Sequence, residues 1–507
     1  MPYPSLANYL TRRREIPYPE AYQALLEQLF EAYERGNTLI EASIAEPCLH
    51  AWQAAGLLGH DAPVIAQLND KLGRFWLNVN HQQERELSTW IRSKALWAED
   101  KPSSLPPPPN GLNVLQQRAW QHAQCHRLTL INGGPGTGKT HTLAHIVKSL
   151  LQKNPPPSIA LAAPTGKAAK RMSQSLQELP LEPAQTLHRL LGISANPTPR
   201  YHAQNPLPYD VVMVDEASML SLQLAHALFA ALAPQSALIL LGDAQQLAAV
   251  DAGAVLADMA QSPDLSNHVI TLEESRRFHQ HSIIGQLARF SHQPEALLEC
   301  IKKPHPDLHY QSHAPTLEQL AAPYRPYLSA LQEGKSFESL MALFDGYRIL
   351  STTHHGKLGI REINQKIAQW HKALCHQPPH AEPFHGQPII ITQNDYRLGL
   401  FNGDIGLCLQ HEGRLRLFLE EREPIAMQHL NPTQYQSAYA LTVHKSQGSE
   451  FEHVALVLPD DEHQSRELLY TGITRAKTKL SLYASQSALL QASQTPTLRQ
   501  TGLLRYH

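Results

Sequence analysis

The sequence has little with which to build covalent or metal-based scaffolds. Its five cysteines (Cys48, Cys125, Cys300, Cys375 and Cys408) are odd in number, far apart and never in a C-x-x-C pair. That excludes a disulfide framework, a zinc ribbon and an iron–sulfur site, and fits reduced, metal-free cytosol. Charge is also sparse: 43 Lys and Arg against 45 Asp and Glu give a net of −2, and charged residues are 17% where about 25% is usual. A charge-driven disordered tail and a histone-like basic protein are excluded. No apolar run approaches the ~18 residues of a membrane span. Arg12, Arg13 and Arg14 lack the following apolar stretch of a secretory signal, so a cytoplasmic protein is expected. The 29 histidines are scattered, and pairs such as His122/His126 and His141/His145 have no third ligand nearby.

What is present is length: 507 residues are enough for three or four domains at roughly 100–200 residues each. Residues 1–100 read as an N-terminal helical domain, from amphipathic spacings such as Leu25, Leu26, Leu29 and Phe30, then Leu57, Leu58, Val64 and Ile65. Four consecutive prolines in Lys101–Asn110 mark residues 101–110 as a linker. Beyond it, apolar runs at Leu128–Ile131, Ile159–Ala162, Val211–Val214, Ala237–Leu241 and Val454–Leu458 alternate with helical segments, the rhythm of an α/β fold with parallel sheets. A first ATPase domain is expected at 111–268, with a small insertion near 188–208, and a second at 269–380 and 440–507. Between them, residues 381–439 carry close strands with Asn402-Gly403 and Glu412-Gly413 turns, and read as a small inserted β-barrel. Phe401 and Tyr435 read as residues of that barrel or its core rather than as stacking platforms for bases.

Gly133-Gly134-Pro135-Gly136-Thr137-Gly138-Lys139-Thr140 satisfies G-x-x-x-x-G-K-[ST] between a strand and a helix, the context the P-loop requires. Its glycines let backbone N–H groups surround phosphates, Lys139 reaches the β/γ oxygens, and the Thr140 hydroxyl ligates Mg²⁺. The apolar Val211–Val214 stops at Asp215-Glu216. Asp215 is placed to hold Mg²⁺ and Glu216 to activate water, which favours hydrolysis of ATP over transfer to another substrate. Gln246, after the Ala237–Leu241 strand, offers an amide to the γ-phosphate, and Arg277 and Arg475 are candidates for the positive charge. Thr165-Gly166-Lys167, with Lys170 and Arg171 on the helix that follows, can grip a DNA phosphate or form a solvated helix face.

The longer strings go further. Ala160-Leu-Ala-Ala-Pro-Thr165-Gly166-Lys167, Thr186-Leu-His188-Arg, Gly242-Asp-Ala-Gln-Gln246 and Ala440-Leu-Thr442-Val-His444-Lys-Ser446-Gln-Gly448-Ser-Glu450 resemble the ordered motifs of superfamily 1 DNA helicases. Together with Asn205-Pro-Leu, His385-Gly-Gln-Pro, Gly399-Leu-Phe-Asn-Gly-Asp and Arg466-Glu-Leu-Leu-Tyr470, they are similar to the α-subunit (RecD) family of exodeoxyribonuclease V, the RecBCD helicase–nuclease. The resemblance runs from about Leu112 to Tyr483. It implies two RecA-like domains of a P-loop NTPase and 5′→3′ DNA translocation driven by ATP with Mg²⁺. It implies partnership with β and γ subunits in a heterotrimer that repairs DNA breaks by recombination, acting on single-stranded DNA and duplex ends. It implies adenine contact by Gln116 or its neighbour Gln117, γ-phosphate sensing by Gln246, Arg277 and Arg475, and nucleotide contact near Gly448 and Glu450. Thr165, Gly166, Lys167, His188, Thr442, His444 and Ser446 would line the single-stranded DNA track. Gln245 stands where related sequences commonly carry an acidic residue, and His141 where a second Thr is common.

No carboxylate cluster of a metal nuclease appears outside Asp215 and Glu216, so DNA cleavage is expected only through the β subunit. About 110 residues precede the motor, fewer than in freestanding RecD-like helicases, which favours a complex subunit. Two other readings remain: a freestanding helicase, and a P-loop module whose ATP binding regulates assembly.

Overall fold

Apolar residues at adjacent positions of a strand point to opposite faces, so a strand that is apolar throughout needs cover on both sides. The computed structural model shows this in two parallel sheets. It describes residues 16–68, 72–96, 107–193, 198–274, 282–395, 397–460, 464–497 and 499–505, and divides into one unit of residues 1–274 with 498–507 and a second of 275–497.

In the first unit, β1 (Leu39–Ala42), β2 (Val64–Leu68) and β3 (Gly73–Leu77) form an antiparallel sheet of order β1-β3-β2. The N-terminal segment expected to be helical thus has helices Pro19–Glu34, Glu46–Ala54 and Asn78–Leu96 and a sheet besides. Val64 and Ile65 fit a helical face by spacing, but a β-branched pair following Pro63 pairs instead with Leu77 and Trp76 of β3. Tyr22 and Trp52 meet edge to face at 5.2 Å in its core. Helix Asn78–Leu96 also packs against helix Leu222–Ala231. Leu87 and Ile91 are buried with Leu228 and Phe229, and Lys94 Nζ donates to Ala233 O and Ser236 O at 3.1 and 2.8 Å.

The first parallel sheet comprises β4 (Leu128–Gly133), β5 (Ile159–Ala163), β6 (Gln185–Thr186), β7 (Val211–Val214), β8 (Ala237–Gly242) and β9 (Val269–Leu272), in order β6-β5-β7-β8-β4-β9. Val212, Val214, Leu238 and Leu240 enter the core on one face, while Val211, Met213, Ile239 and Leu241 enter the core on the other. Two expected boundaries are corrected here. Residues 269–272 do not open the second domain, because β9 pairs in parallel with β4. Residues 499–505 do not close it either, because Leu503 and Leu504 are buried in the first unit's core.

The second unit is built on β10 (Leu308–Gln311) and β11 (Tyr347–Ser351). An insertion follows, of β12 (Gln387–Ile391), β13 (Ile405–His411), β14 (Arg414–Phe418), β15 (Ile425–Ala426) and β16 (Tyr435–Ser437). Then come β17 (Ala440–Thr442), β18 (Phe451–Leu458) and β19 (Ala476–Ala484). The parallel order is β10-β19-β18-β11-β17. The expected barrel takes the form of a five-stranded antiparallel sheet, β15-β14-β13-β12-β16, whose outer strands are not paired with each other among the described residues. Ile389, Ile391, Leu400, Cys408 and Leu417 form its core, with Tyr435 packed against them. Phe401 lies in this insertion, between β12 and β13, but outside its core: it is 40% exposed, with the Arg422 guanidinium 5.6 Å from its ring centre. Among the described residues no helix is long and apolar enough to cross a membrane.

Candidate functional site

The phosphate loop forms where β4 stops and helix Lys139–Leu151 begins. Gly138 caps that helix with φ 86° and ψ 25° and supplies no side-chain acceptor. A helix start without a side-chain cap is a place where an anion can be received. Lys139 Nζ lies in the same loop, donating to Gly133 O at 2.5 Å and Gly134 O at 3.1 Å. Thr137 Oγ1 also donates to Gly134 O, at 2.8 Å. Gly133, Pro135 and Thr137 are buried, whereas Gly134, Gly136, Gly138, Lys139 and Thr140 are half-buried along the loop. An ammonium and backbone donors thus converge on one short segment.

Asp215 and Glu216 follow β7 directly. Asp215 Oδ1 accepts the Glu216 N–H at 2.8 Å, and Glu216 holds a left-handed backbone, φ 54° and ψ 39°. A non-glycine residue pays roughly 1–2 kcal/mol for that conformation, a strain typical of functional sites. Burial raises the Asp215 carboxyl above the usual carboxylate range, and Lys139, the Glu216 N–H and Arg171 pull it back. Arg171, on helix Gly166–Ser175, therefore acts electrostatically on the nucleotide side of the sheet. These residues fit a phosphate–Mg²⁺ group: carboxylate and hydroxyl oxygens for the metal, an ammonium and N–H groups for the phosphates.

Asp243, 3% exposed, organises the turn after β8. Its carboxylate accepts the Gln245 N–H at 3.0 Å and Gln246 Nε2 at 3.1 Å, and Asn132 Oδ1 accepts the Ala244 N–H at 2.9 Å. Gln245, placed where an acidic residue is common, contributes its backbone to this turn. Neither Asp243 nor Asn132 was assigned a role from the sequence. The signal for Asp243 was an Asp opening a tight turn, which commonly accepts the N–H two residues on; Asn132 had none.

The structure separates the two adjacent glutamines. Gln116 is 1% exposed, accepts the Asn113 N–H on Oε1 at 3.1 Å and donates from Nε2 to Thr137 O at 3.1 Å. Gln117 donates to Leu112 O at 2.9 Å, away from the loop.

Of the residues expected along the DNA track, Thr165 caps helix Gly166–Ser175, accepting the Ala168 N–H at 3.3 Å. Gly166, Lys167 and His188 are exposed. In the second unit His444 is exposed, but Thr442 and Ser446 are 2% and 0% exposed. Thr442 Oγ1 accepts the Lys445 N–H at 3.2 Å and Ser446 Oγ donates to Val443 O at 2.7 Å. Both hydroxyls hold the turn that displays His444. Arg475 is 2% exposed, donating to Thr471 O and Ser449 O, each at 3.1 Å. Its guanidinium is thereby tied to the loop carrying Gly448, with φ 70°, and Glu450. Arg277 lies outside the described residues.

Two family profiles match the chain: an AAA domain over residues 116–252 and a UvrD-like helicase C-terminal domain over 437–483. The RecBCD enzyme subunit RecD of Mycobacterium tuberculosis is 32% identical over 489 residues, covering 90% of this chain and 83% of that protein. The same-named subunit of Mycolicibacterium smegmatis is 34% identical over 485 residues, covering 90% and 85%. The ATP-dependent RecD2 DNA helicase of Deinococcus radiodurans is 30% identical over 461 residues, covering 85% of this chain and 58% of that protein. With such identity sustained along nine-tenths of its length, the chain belongs to the RecD family of RecBCD enzyme subunits.

Proposed function

We propose that the chain is an ATP-driven 5′→3′ DNA helicase that works in the cytoplasm as the α subunit of a RecBCD complex, beside β and γ subunits. The observation that carries this reading is the Asp215-Glu216 pair at the end of β7, with Glu216 held in a left-handed conformation in a chain that also holds a complete phosphate loop. Thr140 and Asp215 would hold Mg²⁺, which polarises the γ-phosphate, and Lys139 would neutralise the β/γ oxygens. Glu216 would accept the proton of the attacking water. Gln246, Arg277 and Arg475 are the proposed sensors of the γ-phosphate, with Gly448 and Glu450 in the loop that Arg475 supports. Thr165, Gly166, Lys167, His188 and His444 are proposed to meet DNA. Backbone grip serves a motor that must accept every base.

The test is ATP-dependent unwinding of duplexes bearing a 5′ or a 3′ single-stranded tail, by the chain alone and with its β and γ partners, with Lys139→Ala as the blank. Unwinding of the 5′-tailed duplex alone, abolished by the substitution, is the expected result. A preference for the 3′ tail overturns the polarity, and activity that is full without partners and unaltered by them overturns the subunit assignment.

A further inference from the structure

β17, three residues long, stands at the edge of the second parallel sheet. Its inner side meets β11: Tyr439 O accepts the Ile349 N–H at 3.4 Å and the Val443 N–H donates to Ser351 O at 3.1 Å. Successive residues of a strand turn their N–H and C=O to alternate sides, so those of Ala440 point outward, where an edge strand has no neighbouring strand. Ala440 is fully buried, and a buried peptide needs a partner. Asn364 supplies it. Its Nδ2 donates to Ala440 O at 2.8 Å and its Oδ1 accepts the Ala440 N–H at 2.9 Å, the pair of bonds a further strand would make. Asn364 lies inside helix Ile360–Leu374 and is 9% exposed. Asparagine is a poor residue for a helix interior, and this clasp explains its presence there. The two residues before Ala440 are held as well: Ala438 O accepts Arg348 Nη1 and Tyr439 O accepts the Tyr324 hydroxyl, each at 2.6 Å.

We propose that Asn364 is a positioning residue for DNA binding: standing in for a further strand at the outer edge of β17, it fixes the strand whose end carries the turn of His444. From Thr442 onward that turn is braced by its own hydroxyls, Thr442 Oγ1 and Ser446 Oγ, so it moves as one piece with β17. A displacement at Ala440 is therefore passed on to the His444 imidazole. This rests on His444 meeting DNA.

Asn364→Leu fills a similar space but removes both bonds. The experiment is fluorescence anisotropy of a single-stranded oligonucleotide titrated with the full chain, as wild type, Asn364→Leu, His444→Ala and the double variant. Thermal denaturation alongside establishes that each is folded at the assay temperature. The expected result is a loss of affinity of about five-fold or more on Asn364→Leu in the wild-type background, the scale of one net hydrogen bond. In the His444→Ala background the same substitution should cost less than about two-fold, because the contact it would misplace is already gone. Equal losses in the two backgrounds would make Asn364 a residue whose effect does not pass through His444 and overturn the proposal, as would unchanged affinity in a folded Asn364→Leu chain. Asn364→Ser, too short to reach the Ala440 peptide but leaving room for water, carries the same expectation and replaces Asn364→Leu should that variant not fold. Full affinity in His444→Ala alone would refute the DNA contact on which the proposal rests, and the proposal with it.

Discussion

Gly502 donates its backbone N–H to Glu84 Oε1 at 2.9 Å across 418 positions of sequence. Thr38 Oγ1 and Trp76 Nε1 donate to the same fully buried carboxylate, at 2.5 and 3.0 Å. Arg499, three residues upstream, donates to Asp251 O at 2.8 Å and Gly253 O at 2.7 Å. The C-terminal segment thus bonds both to the N-terminal domain and to the first ATPase domain.

Gly502 leaves no room for a side chain: a Cβ would lie 2.5 Å from Glu84 Oε2 and 3.0 Å from Trp76 Nε1. Gly502→Val is expected to destabilise the first unit by about 2–4 kcal/mol, through overpacking and a disturbed buried carboxylate. Thermal or urea denaturation checks this, and an unchanged midpoint would mean that residues 499–505 contribute nothing to it.

Asp258 gives the same region a pH dependence. Burial raises its carboxyl to about 7, further helped by Glu84 and opposed by the Thr501 hydroxyl, Arg505 and Arg499. The folded state therefore binds more protons than the unfolded chain between about pH 4 and 7. Stability should fall as pH rises through that window, and level off above it. Asp258→Asn should flatten the slope and gain up to about 4 kcal/mol above pH 7, at 1.36 kcal/mol per pKa unit. Melting temperatures at pH 5, 6, 7 and 8 measure it, and parallel curves for variant and wild type would refute it.

Glu216→Gln should still bind nucleotide while losing a factor of about 10²–10⁴ in DNA-stimulated ATP turnover, the usual contribution of a general base. If turnover persists at the wild-type rate, the water is activated elsewhere.

Ser446→Ala and His444→Ala should part company. The Ser446 hydroxyl is buried and donated to Val443 O, so its loss should cost about 1 kcal/mol of stability with little effect on DNA affinity once folded. Exposed His444 should show the reverse in fluorescence anisotropy with single-stranded oligonucleotides. Equal losses of affinity would return Ser446 to the DNA surface.

Lys167→Ala should weaken DNA binding equally for all sequences and reduce the slope of log K against log salt by roughly 1, as expected for one phosphate contact. A slope identical to wild type would mark Lys167 as a solvated helix residue.

The phosphate loop, the Asp215-Glu216 strand end and the alternation of strands with helices were legible in the sequence. Each depends on contacts within a few residues: glycines that admit the loop, an apolar run that ends at two carboxylates, turn residues such as Glu412-Gly413 between β13 and β14. The choice between Gln116 and Gln117 was not legible, because both lie one step apart on one helix. Only the position of Thr137 O beside the helix decides which amide faces the loop. Burial of Thr442, Ser446 and Arg475 was likewise invisible, since a hydroxyl or guanidinium in a motif has the same letter whether it meets a ligand or a backbone carbonyl.

By itself the sequence determined the chemistry and the family of parts: a P-loop, a carboxylate pair, parallel strands, a proline-rich break. Tertiary structure decided the assignments that depend on closing long loops, namely β9 beside β4, Leu503 and Leu504 in the first unit's core, and Gly502 on Glu84. The physical reason is range. Backbone conformation and strand patterning are written by neighbours in the chain, whereas the partner of a buried polar group or an apolar tail is whichever surface the folded chain brings within bonding distance.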